Sequence, residues 1–273
     1  MEIIIRIFAQ ILLISLISCN ISFSHDSIKY ENFFGINPGL AQITVLDEID
    51  DPKIYKGNVF NGFNVIISYN KKKNIIFYTY QILKCKLKPY EDFTNYKENY
   101  IDYKFVKASY TYYKYLKSRK NGKNIIYGGL GLYSYNSNRT HHFQNIYNRI
   151  VNEPYETFSF DRVSLSLYLK TMLKFNMENN QHFFINLGIP IISFVVRPKT
   201  LNPYFISTYY RKTYVASIYN FPGFQSDIMY IKNITQRLSL GLNYSSLYYQ
   251  FKKEYILRSY NRNFSIGLYY RFK

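Results

Sequence analysis

The sequence predicts an all-β fold, an antiparallel transmembrane β-barrel of about ten strands that follows a cleaved signal peptide. Three observations carry this reading. Apolar residues recur at every second position in run after run of the chain, the period of a strand with one apolar face. The opposite faces hold Gly, Ser, Asn, Tyr and scattered Lys or Arg with almost no acid, whereas the water-facing side of a soluble sandwich or barrel is rich in Lys and Glu. The breaks between runs alternate between short and long, as they do where turns line one membrane face and loops the other.

The first strand, Gly35 to Leu46, is the weakest, because Asn37-Pro38-Gly39 also reads as a turn. Gly57 to Tyr69, Asn74 to Leu87, Ile101 to Lys117 and Asn124 to Asn136 follow, then Phe158 to Phe175, Phe183 to Val196, Gly223 to Ile231, Arg237 to Phe251 and Arg262 to Phe272. Short breaks fall at Asn70 to Lys73, Ser118 to Lys123, Asn176 to Gln181 and Lys232 to Gln236. Long ones fall near Asp47 to Lys56, Lys88 to Tyr100, Ser137 to Thr157, Arg197 to Pro222 and Lys252 to Asn261. Four turns and five loops join ten strands and put both ends of the barrel on the short-turn side.

In the second strand Val59, Phe63, Val65, Ile67 and Tyr69 align. In the sixth, Val163, Leu165, Leu167, Leu169 and Leu173 oppose Arg162, Ser164, Ser166, Tyr168, Lys170 and Lys174. In the ninth, Leu238, Leu240, Leu242, Tyr244 and Tyr248 oppose Arg237, Ser239, Gly241, Asn243 and Ser245. Pro190 in the seventh has no N–H for a ladder and predicts a bulge. Tyr204 to Tyr219, inside the fourth long break, also reads as extended, so eight or twelve strands stay open as alternatives.

Aromatic residues make up 20% of the chain, with 32 Tyr, 22 Phe and no Trp. Membrane barrels use such rings at the two interfaces; a biased codon usage explains the abundance but not the alternation. The net charge of +18 suits anionic lipid headgroups. A nucleic-acid partner is not expected, since no binding motif accompanies the charge and an export signal precedes the barrel.

Met1 to Ser24 reads as that signal, with Arg6 as a short basic region and Ile7 to Ile17 as the apolar core. Cleavage after Ser24 leaves His25 first, and residues 25–34 as a periplasmic segment before a barrel over 35–273. The alternative is Leu16-Ile-Ser-Cys19, a lipobox-like run that would leave Cys19 lipidated. Either way Cys85 has no partner, and neither a disulfide framework nor zinc spacing exists; no metal and no cofactor are expected.

The terminal run Asn263 to Lys273 is the most specific stretch. Phe264, Ile266, Leu268, Tyr270 and Phe272 share one face, opposite Asn263, Ser265, Gly267, Tyr269 and Arg271. This resembles the closing strand of bacterial outer-membrane β-barrel proteins, whose assembly machinery reads a C-terminal aromatic with apolar residues at every second position before it. Here the aromatic is penultimate, before Lys273. Gly188-Ile-Pro-Ile-Ile-Ser-Phe-Val-Val-Arg-Pro198 is similar to stretches of uncharacterised members of that superfamily. The resemblance covers about residues 31 to 273 and implies a monomer in a Gram-negative outer membrane, with lipid, lipopolysaccharide and the assembly machinery as partners. It carries over no catalytic residue.

An enzyme is not expected. Barrel lipid hydrolases pair a Ser with a His held by an Asn or acid. The chain's four histidines are His25 at the cleavage site, His182 at a turn, and His141 and His142 in the third loop, with Ser134, Ser137, Glu153 and Glu156 as conceivable partners. Two other groupings are the functional candidates. Arg211, Lys212, Lys252, Lys253, Arg258 and Arg262, among tyrosines, are placed near the outer rim as contacts for lipopolysaccharide phosphates. Arg162, Lys170, Lys174, Arg237 and Arg271 are placed in a narrow lumen, where a water path would favour anions. The expected role is therefore surface binding or structural, with a narrow anion-favouring porin as the alternative and a lipid hydrolase as the remote one.

Overall fold

The computed structural model describes residues 32–47, 51–61, 63–71, 73–90, 100–119, 123–143, 155–177, 180–198, 211–253 and 256–272. The signal segment with Cys19 and His25 lies outside them. Among the described residues all regular elements are strands: β1 (Asn32–Ile36), β2 (Gly39–Asp47), β3 (Asp51–Asn61), β4 (Phe63–Lys71), β5 (Asn74–Pro89), β6 (Tyr100–Arg119), β7 (Asn124–Phe143), β8 (Tyr155–Met177), β9 (Gln181–Pro198), β10 (Arg211–Ser217), β11 (Gly223–Asn233), β12 (Leu238–Phe251) and β13 (Leu257–Phe272).

Thirteen segments make ten wall strands, because three pairs are halves of one strand. β1 and β2 both lie antiparallel on β13 in one unbroken register, Ile36 opposite Leu268 and Gly39 opposite Ser265. Asn37-Pro38 is therefore not a turn: Pro38 drops one ladder donor, while its carbonyl still accepts from the Ile266 N–H at 3.0 Å. β3 and β4 form the second strand, and β10 and β11 both pair with β9. Every strand is antiparallel to both neighbours, and β1 and β2 on β13 close the ring.

The apolar face looks outward. Along β13, Phe264, Ile266, Leu268, Tyr270 and Phe272 are exposed, while Asn263, Ser265 and Tyr269 are buried. Leu130, Leu132, Leu165, Leu169, Leu238, Leu240 and Leu242 continue the outer belt round the wall. A soluble barrel would reverse these faces; a bilayer-facing one requires this arrangement. β8 has 23 residues; at about 3.3 Å per residue and a tilt near 40° it rises roughly 58 Å, against an apolar belt about 25 Å tall. The wall therefore continues well beyond the belt on the side of the longer connections, the upper side below.

That extension corrects the predicted loops. Only residues 48–50 separate β2 from β3, and β7 runs on to Phe143, so His141 and His142 are strand residues and not loop residues. Within 204–219, residues 211–217 are wall, paired with Ile192 to Pro198; no extra hairpin is needed and the count stays at ten.

Three irregularities move side chains from the predicted face, since a one-residue offset reverses inside and outside. Between β3 and β4 the register with the first strand shifts by one, so Val59 points in while Val65, Ile67 and Tyr69 point out. At Ser164 in β8 another shift turns Val163 inward and leaves Arg162 exposed on the outer wall. Arg162 is thus not a lumen residue. The third shift, at Ile191, is the bulge predicted from Pro190.

Gly267 shows how tight the closing seam is. A Cβ there would run into Asn37 Oδ1 and the Tyr269 ring, whose hydroxyl donates to Asn37 Oδ1 at 2.5 Å. Gly267→Val is expected to cost about 1–3 kcal/mol as overpacking, read as a lower urea midpoint for unfolding from lipid vesicles.

Candidate functional site

Alternation places the inward side chains in three levels. The lowest is an apolar cluster that includes Phe33, Phe77, Tyr113, Tyr127, Met172, Phe184 and Tyr269. Phe33 meets Tyr269 edge-on at 5.3 Å and Phe77 at 6.1 Å. Below it, Lys174, His182, Asn233 and Arg271 line a small pocket at the lower rim. Of the residues predicted for the lumen, Lys174 lies over the Phe184 ring at 5.4 Å, and an Arg271 guanidinium N–H donates to the Thr235 carbonyl. Arg237 is exposed in the turn before β12 and is not in the lumen, because its strand starts only at Leu238.

The middle level is polar, lined by Asn64, Gln81, Lys107, Asn186, Asp227 and Asn243 among others. Lys170 is 3% exposed and donates to Gln225 Oε1 at 2.9 Å, and Gln225 in turn donates to Asp227 at 2.8 Å. Lys107 and Lys170 both face the Tyr133 ring, at 5.7 and 4.8 Å.

The upper level crosses the axis. Tyr103 and Phe105 of β6 stack toward Tyr135 of β7, which stacks on Tyr249 of β12 at 5.6 Å, which stacks on Phe221 at 5.6 Å. The Tyr133 and Tyr168 rings lie 4.5 Å apart, and Tyr135 shares a hydroxyl–hydroxyl hydrogen bond with Tyr168. Phe221 lies in the stretch opposite Pro190. Ser217 is opposite Ile192 and Gln225 opposite Gly188, so seven residues on one side face three on the other. The surplus leaves the wall and Phe221, 1% exposed, enters the lumen.

Above this stack three distant strands meet at one carboxylate. Asp47 accepts from Arg139 Nη2 through Oδ2 and from Arg197 Nη2 through Oδ1, both at 2.6 Å, and all three side chains are at most 4% exposed. Arg197 also lies over the Phe251 ring at 5.4 Å. Beside the triad Tyr55 Oη bonds His141 Nε2 at 2.9 Å. His142, pointing the other way, pairs with Asp102 on the outer face at 3.0 Å. Adjacent strand residues diverge, so the two histidines share no site. Ser137 is inward and accepts from Arg139 at 3.2 Å, whereas Ser134 belongs to an outer groove. The side chains of Glu153 and Glu156 lie outside the described residues.

Of the six basic residues predicted as one phosphate-binding group, the five with described side chains fall in two places. Arg258 and Arg262 are exposed on β13, with Arg262 over the Tyr260 ring at 4.4 Å. Lys212 and Lys253 converge on Tyr214 at the mouth, at 5.1 and 5.6 Å, and Lys252 is exposed beside them. The Arg211 side chain lies outside the described residues.

The architecture is met in a solved structure. The outer-membrane protease OmpT from Escherichia coli superimposes with a TM-score of 0.53 at 10% identity, over 93% of this chain and 99% of that one. The transport unit of the autotransporter AIDA-I from Escherichia coli gives 0.41 at 10% identity over 92% and 93%. Neisserial surface protein A gives 0.34 at 10% identity over 88% and 97%. No protein-family model and no curated protein matches the chain by sequence. At 10% identity the likeness to OmpT speaks to the fold, a closed antiparallel β-barrel, and to nothing finer.

Proposed function

We propose that this chain is an outer-membrane barrel that works through its surfaces, as a binding or structural protein of that membrane, and not by conducting solute. The observation that supports the reading is the stack from Tyr103 to Phe221, capped by Asp47, Arg139 and Arg197. Interlocked rings and a paired ion triad leave side chains where a pore would need water. The competing reading is a narrow porin favouring anions, for which Lys107, Lys170 and Lys174 supply the charge.

Planar-bilayer recording separates the two. The native barrel is expected to give a flat trace. Tyr135→Ala with Tyr249→Ala removes the two rings that meet across the axis and is expected to produce discrete openings with anion preference. Steady conductance from the native protein would defeat the surface reading.

A further inference from the structure

On the outer wall, β5 carries Tyr78, Tyr80 and Ile82 and then Lys84, Lys86 and Lys88, all on the outward face. β6 beside it carries Tyr112, Tyr110, Ala108 and Val106 and then Lys104 and Asp102. The change from apolar to charged falls at the same register on both strands, between Ile82–Val106 and Lys84–Lys104. Lys84 and Lys104 are thus direct cross-strand neighbours, both exposed, and neither has an ion-pair partner among the described residues. Asp102, the next outward residue after Lys104 on β6, pairs with His142, and Lys86 lies over Tyr100 at 4.5 Å. Like charges directly opposite each other destabilise a sheet, so an anion seated on this pair would be stabilising.

Directly below lies a second, independent feature. Ala108 and Ser134, opposite one another on β6 and β7, are small where their neighbours are large. Tyr80 and Tyr78 on one side, and Leu132 and Leu165 on the other, wall an open apolar depression of about 410 Å³ on the outer face. Four residues separate Ala108 from Lys104, roughly 13 Å along the strand at about 3.3 Å per residue. A phosphate on the lysines would leave its acyl chain lying down the depression.

From this juxtaposition we infer that the β5–β7 face is a docking site for a phosphorylated membrane lipid. Lys84 and Lys104 take the phosphate, Asn138, opposite Lys104 in register, takes a position beside it, and the Ala108–Ser134 depression takes one acyl chain. The inference rests on the membrane-barrel reading. It also moves the lipid contact three strands round the wall from Arg258 and Arg262.

The test uses the full barrel in non-ionic detergent with bis-phosphorylated lipid A as the probe, bound lipid being counted by native mass spectrometry. Heat-modifiable gel mobility first reports that each variant is a folded barrel, so a failure of the membrane reading shows there and not in the lipid count. One lipid is expected on the native protein, with retention reduced about tenfold or more by K84Q/K104Q. Retention restored by K84R/K104R and reduced by the groove-filling A108L/S134L completes the expected result. Unchanged retention in K84Q/K104Q, displacement of the lipid by inorganic phosphate, equal binding of zwitterionic phosphatidylethanolamine, or a loss seen only in R258Q/R262Q would each overturn the site.

Discussion

Asp47→Asn is expected to be among the most damaging single changes in the barrel. The carboxylate satisfies two guanidinium groups, Arg139 and Arg197, that are themselves 1–2% exposed. Removing its charge leaves a neutral amide between two buried cations, with one acceptor oxygen where there were two and an NH2 donor turned on a guanidinium. Breaking a buried pair in this way costs about 3–5 kcal/mol, mostly because the abandoned charge stays desolvated. Urea unfolding from vesicles is the measurement. A companion variant separates this cause from lost packing: Asp47→Leu with Arg139→Met and Arg197→Met removes all three charges at similar volume and is expected to recover most of the stability. Equal losses in the single and triple variants would mean that the charges are not what holds the mouth together.

The triad was hidden in the sequence for a reason that can be stated. Its members lie 92 and 150 positions apart, and each stood at the start of, or inside, a segment that reads as loop. What turned them into one site is the continuation of the strands past the apolar belt. Alternation does foreshadow it: Ile43, Val45 and Asp47 keep one parity, as do Tyr135, Ser137 and Arg139, and Ser193, Val195 and Arg197, and all of these are buried. Following parity beyond the point where apolar residues stop would have put the three charges inside.

The wall itself was legible where no bulge intervenes, as in β12 and β13, and misassigned where one does. Counting in twos from Lys170 puts Arg162 in the lumen, and the extra residue at Ser164 makes that count odd. Val59 fails by the same arithmetic at the β3–β4 junction. Only Pro190 announced its irregularity, because a missing N–H is visible in the sequence and a bulge around Ser164 is not. The dispersal of the basic group has a different origin. Proximity in loops was inferred from chain order, whereas Lys212 and Lys253 point to the mouth and Arg258 and Arg262 to the outer wall.

Leu268→Arg is the complementary prediction, made on the opposite face of the closing strand. Leu268 is 56% exposed and lies midway between Phe264 and Phe272 in the outward row, which puts it near the centre of the apolar belt. A guanidinium there must leave water for hydrocarbon, at about 2–4 kcal/mol near the midplane. Arg262, six residues up the same face, is exposed in the native protein, and Arg262→Leu is expected to change stability little because that position lies at the rim. The contrast tests the outward direction of the whole apolar row at once. If the fold were a soluble barrel, an exposed Leu268→Arg would be neutral in unfolding from vesicles. A measured loss at residue 268 with none at residue 262 places the edge of the lipid between them, from one strand whose side chains alternate without a break from Asn263 to Tyr270.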